Sequence, residues 1–170
     1  IRGTLPAHEG MKPFPTLLGH EGAGEVVALG AKVRHIQIGD RYLHPNLRDC
    51  PGNGYTRTYG GMAEYGLVAD YQTMKEDGYD GPPPFSGKYA RVPKAFSYTD
   101  ISMLLSLSES LSAAKNFGIG PGTKVLVYGA GPMGLALMKY ARILGAEKVV
   151  AVDKLDDRLE RAGRLADICL

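Results

Sequence analysis

Apolar and polar positions alternate in two different rhythms along the chain. From residue 22 to 96 the apolar runs are short and alternating, as in "EVVAL", "VRHIQI" and "MAEYGLV". Turn residues punctuate them: Gly30, Gly39-Asp40, Pro45-Asn46, Gly52-Asn53-Gly54 and Gly60-Gly61. Short period-2 runs between such turns predict a compact β barrel or sandwich. The stretch "KEDGYDGPPPFSGKY" (75–89) reads as an irregular surface excursion, because proline cannot donate to a strand ladder.

Near Phe96 the period changes. Thr99 is expected to cap a helix over 100–117 that stops at Gly118. "KVLVY" (124–128) and "KVVAV" (148–152) are unbroken apolar strands, each followed by a helical pattern. The first helix is expected from Pro132 to Leu144, with Met133, Leu137, Tyr140 and Leu144 on one face and Gly145 closing it. The second lies in "LDDRLERAGRLA", and "ADICL" reads as the start of another strand. Apolar strands alternating with helices predict a parallel sheet buried on both faces. The domain boundary is expected between about 96 and 106.

Composition changes this picture little. Hydrophobic residues make up 44% of the 170 and charged residues 22%, which suits a globular chain. A net charge of +2 with no basic stripe argues against a nucleic-acid partner. No apolar stretch has the length of a membrane span, and no leader pattern opens the chain. Two cysteines, Cys50 and Cys169, fit a reducing cytoplasm better than a disulfide framework. Ile1 opens on what reads as mid-loop, so the chain is expected to continue at both ends.

The chemistry-bearing motif of the second half is "YGAGPMG". Gly129, Gly131 and Gly134 follow a buried strand and open a helix, the G-x-G-x-x-G setting of a dinucleotide turn. Gly129 permits the tight turn, Gly131 leaves room for a pyrophosphate, and Gly134 lets helix and strand approach. Pro132 and Met133 begin the helix, whose free N–H groups and partial positive charge suit phosphates. Asp153 ends the next strand. It can accept hydrogen bonds from both adenosine ribose hydroxyls and would repel a 2′-phosphate, which favours NAD over NADP. Arg158, one helical turn on, either braces the ribose or is a solvated helix charge.

In the first half, "LLGHEGAGEVV" sets His20 beside Glu21 between glycines. By itself His20 reads as a hydrogen-bonded turn histidine.

Together "GHEGAGEVVALGAKV", "IGDRY", "GGMAEY", "GPGTKVLVYGAGPMGL" and "AVD" resemble the zinc-containing medium-chain alcohol and polyol dehydrogenases. The resemblance covers nearly the whole chain in the right order. It implies a GroES-like β-barrel catalytic domain over 1–105, without its N-terminus. The first half of an NAD-binding Rossmann domain, without its C-terminus, would follow over 106–170. It implies that His20 ligates a catalytic Zn²⁺ and that Glu21 is an outer-shell carboxylate or an exchanging ligand. Zinc would acidify a bound alcohol so that hydride passes to the nicotinamide. It implies as partner a small alcohol, polyol or ketone, and a homodimer or homotetramer. This piece by itself is expected to be inactive.

Two departures stand out. The family's third zinc ligand, a Cys or Glu, would fall at Leu104 or Leu105, neither of which binds metal; Glu109 lies one helical turn further along. Only Cys50 stands in the region of the four-cysteine structural zinc lobe, so no structural zinc is expected. His8, His35 and His44 read as loop or packing residues. The departures keep two other readings open: a metal-independent quinone or enone reductase of the same superfamily, and a non-catalytic NAD-binding protein.

Overall fold

The computed structural model describes residues 16–17, 19–43, 56–57, 62–84 and 89–170. Contacts divide the chain into two compact units, 1–105 and 106–170. Among the described residues no helix is long and apolar enough to cross a membrane.

The first unit contains β1 (Thr16–Leu17), β2 (Ala23–Glu25), β3 (Arg41–Leu43), β4 (Thr56–Arg57), α1 (Tyr71–Glu76) and β5 (Ala90–Val92). β1 and β4 pair in parallel, and β2-β3-β5 form an antiparallel sheet. Leu43, Val92 and Ile101 make its core, with Ala23, Leu104 and Leu105 packed against them. The described strands do not close into the expected barrel.

Two of the runs read as strands are not strands. In "VRHIQI" the amides of Arg34 and His35 donate to Oδ2 of Asp70 at 2.8 and 2.7 Å, and that of Gln37 donates to Asp40 Oδ2 at 3.0 Å. Carboxylates take the donors that a neighbouring strand would need. "MAEYGLV" is turn and irregular chain with a single bridge at Leu67. "EVVAL" contributes only Glu25 to β2, extended by one residue through Val26 N–H to Asp40 O at 2.8 Å.

The irregular stretch assigned to 75–89 begins inside α1. The signal for this helix was Asp70. Its Oδ1 accepts from the Thr73 amide (3.0 Å) and its Oδ2 from the Thr73 hydroxyl (2.6 Å), an N-cap three residues ahead of its donor. Arg34 then reaches Glu76 and Asp77 at 3.0 and 2.9 Å, and His35 Nε2 lies 3.0 Å from both Glu76 oxygens.

α2 (Tyr98–Asn116) starts earlier than expected, and its cap is Ser97 rather than Thr99. The Ser97 hydroxyl accepts the Asp100 amide at 3.1 Å, while Ser97 N–H and Oγ donate to Asp100 Oδ2 at 3.1 and 2.6 Å. This is a reciprocal box with Asp in the place usually held by Glu. Gly118 ends the helix at φ +68°, a left-handed position natural to glycine.

The second unit comprises β6 (Lys124–Tyr128), α3 (Pro132–Ile143), β7 (Lys148–Val152), α4 (Asp156–Ala162) and β8 (Ile168–Cys169). Its strands pair in parallel in the order β6-β7-β8, with Val127 opposite Ala151 and Val150 opposite Ile168. Val127, Ala130, Met138, Ala141, Val149, Ala151 and Ala162 form the core. Its many alanines let helix and sheet backbones approach closely.

Two expectations need correction here. The buried face of α3 is Gly134, Met138 and Ala141, one position round from the stripe read at Met133, Leu137, Tyr140 and Leu144. The glycine at 134 decides this, since the backbone there lies against the preceding turn. Among the described residues the sheet is covered on one face only: on β6 Leu126 is 54% and Tyr128 78% exposed, while Val127 points inward.

Candidate functional site

The turn between β6 and α3 is built from backbone requirements. Gly129 sits at φ +92°, where a side chain would strain the chain, and its N–H donates to Val152 O at 2.7 Å. Gly131 is the extended N-cap of α3 and makes no side-chain cap, and Pro132 follows in the first helical turn. That proline lacks an N–H the helix would leave unpaired in any case. Met133 is exposed, with its sulfur 3.6 Å from the Ser110 hydroxyl. At Gly134 a Cβ would lie 3.0 Å from the Gly129 carbonyl carbon and closer still to its oxygen.

Asp153 stands just beyond β7 and faces this turn. Its side chain is only 4% exposed. Oδ2 accepts the Ala130 amide at 2.7 Å, and Oδ1 accepts the Leu155 amide at 3.0 Å. Arg158 Nη1 lies 3.6 Å from Oδ2 and 3.9 Å from where a Gly131 Cβ would stand. The Ala130 N–H, above the other contacts, holds the Asp153 carboxyl below the usual carboxylate range; burial opposes this, and Leu155 N–H and Arg158 reinforce it. Gly129, Gly131, Pro132, Gly134, Asp153 and Arg158 are thus gathered at one end of the β6–β7 pair. The sequence could not reveal that Ala130 and Leu155 belong with them, because both take part through backbone N–H.

In the first unit, Gly19 (φ +82°) bends the chain, His20 is half-buried and Glu21 is exposed, just before β2. Among the described residues no group of three His, Cys, Asp or Glu side chains is placed to hold a metal ion. Leu104 and Leu105 pack on the β3/β5 core. Glu109 is exposed on α2. His35 belongs to the Glu76 pairing described above. His8, His44 and Cys50 lie outside the described residues; Cys169 is a partly buried free thiol against the core of the second unit.

A network missed by sequence reasoning joins β2, β3 and the start of α2. The Tyr98 hydroxyl donates to Glu25 Oε2 at 2.6 Å, and the Arg41 guanidinium lies 4.5 Å from the Tyr98 ring centre. Arg41 also donates to the carbonyls of Lys94 and Phe96. Beside it is a cleft of about 500 Å³ lined by Gly22, Val26, Val33, Ile36, Tyr42 and Leu67 among others.

Comparison with known proteins places this geometry. Residues 2–79 match the family described as the alcohol dehydrogenase GroES-like domain. Sorbitol dehydrogenase 2 of Saccharomyces cerevisiae is 32% identical over 160 residues, covering 87% of this chain and 42% of that protein. L-idonate 5-dehydrogenase of Vitis vinifera is 31% identical over 157 residues, covering 85% and 40% respectively. The chain therefore spans about two fifths of the length of these relatives. Galactitol-1-phosphate dehydrogenase of Escherichia coli has the same fold over 95% of this chain and 47% of its own, with a TM-score of 0.67 at 24% identity. By these matches residues 2–79 belong to the alcohol dehydrogenase GroES-like family, and the chain is similar over most of its length to medium-chain alcohol and polyol dehydrogenases.

Proposed function

We propose that the protein containing this chain is an NAD-dependent dehydrogenase that moves hydride between the carbinol carbon of an alcohol or polyol and the nicotinamide ring. The alcohol loses a hydride and a proton and becomes a carbonyl compound; NAD becomes NADH. Residues 1–105 are the GroES-like, alcohol-side domain in this reading, and 106–170 begin the nucleotide-binding domain. The observation that carries it is the β6–turn–α3–β7 unit, with Gly134 packed against Gly129 and Asp153 and Arg158 at the same end.

Each residue has a physical task in this reading. Gly131 leaves the approach to the α3 N-terminus open for a diphosphate, whose charge the helix end favours. Asp153 accepts from the adenosine ribose on lone pairs left over from Ala130 and Leu155, and its charge disfavours a 2′-phosphate. Arg158 balances that charge beside the phosphates. His20 and Glu21 are the metal-side residues the family pattern indicates. The described residues offer these two donors and no completed three-donor set, so no step is assigned to a metal. The polyol enzymes among the relatives support a sugar alcohol as substrate.

Calorimetry on the full-length protein with NAD and NADP tests the nucleotide half. NAD should bind more tightly by tenfold or more, roughly the effect of 1.4 kcal/mol; tighter NADP binding, or none of either, defeats the proposal. A screen of alcohols and sugar alcohols for NAD reduction, with metal analysis of the same sample, tests the chemistry. Metal-free reduction of enones would favour the quinone-reductase reading instead.

A further inference from the structure

The same reading of 124–153 as a dinucleotide site makes one feature of Asp153 unexpected. A carboxylate that only waits for a ribose should be open to solvent. This one is 96% covered and already holds two backbone N–H groups, one from each turn bordering the site. Ala130, whose amide it binds, is 1% exposed and lies between the two glycines of the phosphate turn. The turn has few other ties: Gly129 N–H reaches Val152 O, and Gly131 O accepts from Leu135 N–H. Without the carboxylate the buried Ala130 amide would have no acceptor, and an orphaned buried N–H is costly. Glycines on both sides of Ala130 leave the backbone free to leave its conformation.

We infer that Asp153 is a positioning residue for the phosphate-binding turn, fixing Gly129–Gly131 through the Ala130 amide before any nucleotide arrives. It thereby links the adenosine-ribose end and the diphosphate end of one site. Its Oδ1, through Leu155, sets the start of α4 at the same time, and so the place of Arg158. The inference rests on the dinucleotide reading, but it predicts an effect that a ribose acceptor alone does not produce. Substitution of Asp153 should weaken ligands that have no ribose hydroxyls to offer.

ADP and 2′,3′-dideoxy-ADP differ only in those hydroxyls, and their binding to the full chain and to Asp153→Asn separates the two roles. An asparagine keeps the size of the side chain but has one accepting oxygen in place of two. The expected result is a loss of about tenfold or more for both ligands, as for one charged hydrogen bond, with at least tenfold faster amide exchange at Ala130. A loss for ADP with dideoxy-ADP unchanged would overturn the positioning role and leave the dinucleotide reading standing. Failure of the unsubstituted protein to bind ADP would remove both. Should Asp153→Asn not fold, exchange in the unsubstituted protein decides: an Ala130 amide slowed tenfold or more supports the role, and one exchanging at the rate of a free amide refutes it.

Discussion

The two units respond differently to the same kind of signal. In the second, every apolar run became the element its pattern predicts, and β6 and β7 cover 124–128 and 148–152. In the first, "VRHIQI" alternates as a strand should and is not one. The difference lies in who takes the backbone donors. β6 and β7 pair in register over all five residues, and the carboxylate that binds a strand amide there, Asp167 Oδ2 on Val149 N–H at 2.7 Å, leaves that pairing intact. Around residues 33–37 two buried or half-buried carboxylates, Asp70 and Asp40, take them first. Alternation shows that a segment has two faces; it does not show what its amides will bind.

The largest effect should come from breaking the second unit at its closest approach. Gly134→Ala drives a Cβ into the Gly129 carbonyl, which is backbone and cannot step aside cheaply. We expect a loss of roughly 3 kcal/mol or more, read as a lowered urea midpoint. Gly131→Ala is the control within the same motif. Its Cβ would meet only Arg158 Nη1, at 3.9 Å, so stability should change by less than ~1 kcal/mol while NAD affinity falls. Equal destabilisation by both substitutions would contradict the division of labour among the glycines.

In the first unit the sensitive group is Asp70. Burial would raise its carboxyl pKa, but the amides of His35, Thr73 and Arg34 and the Thr73 hydroxyl overcome that and hold it far below the usual carboxylate range. Asp70→Asn should cost about 2 kcal/mol, since hydrogen bonds to a charged group each contribute about 1.5–3 and asparagine keeps some of them. The sign of the pH effect follows from the lowered native value. Above about pH 4 both folded and unfolded states are ionised and the full stabilisation is present. As pH falls below that, the unfolded state takes up the proton first and stability declines until the native carboxyl also titrates. Acid unfolding followed by circular dichroism should therefore be steeper between about pH 4 and 2 in the unsubstituted protein than in Asp70→Asn. Parallel profiles would show that Asp70 does not hold the 33–37 segment.

These outcomes also separate what could be read from the sequence from what could not. Gly129, Gly134 and Asp153 could be read because each meets a constraint of chain geometry: a positive φ, a close approach, a strand end. The Asp153 partners could not, since an amide leaves no mark in residue identity. α1 was hidden by the proline-rich stretch that follows it, although Asp70 three residues before Thr73 carried its cap. The face of α3 was misread by one position because apolar bulk was counted and the glycine at 134 was not. At the metal end, His20 and Glu21 came from the family pattern, and the described residues add no third donor to them.

The smallest test concerns the join between the two rhythms. Thr99 looks like a cap because threonine often is one, and it is followed by apolar residues. Ser97 is the better candidate on geometry, since its hydroxyl and amide both exchange hydrogen bonds with Asp100 while the Thr99 carbonyl is already in the first turn, accepting from Ser102 Oγ at 2.9 Å. Ser97→Ala should therefore cost about 1 kcal/mol in a urea titration, the usual effect of losing a serine cap. Thr99→Ala should be neutral or slightly stabilising, because inside a helix alanine is preferred to a β-branched residue. The reverse order would restore the start of α2 to where the apolar pattern alone put it, and would mean that the box at Ser97–Asp100 is an ornament of an exposed turn rather than the stop that separates the β-rich segment from the helix.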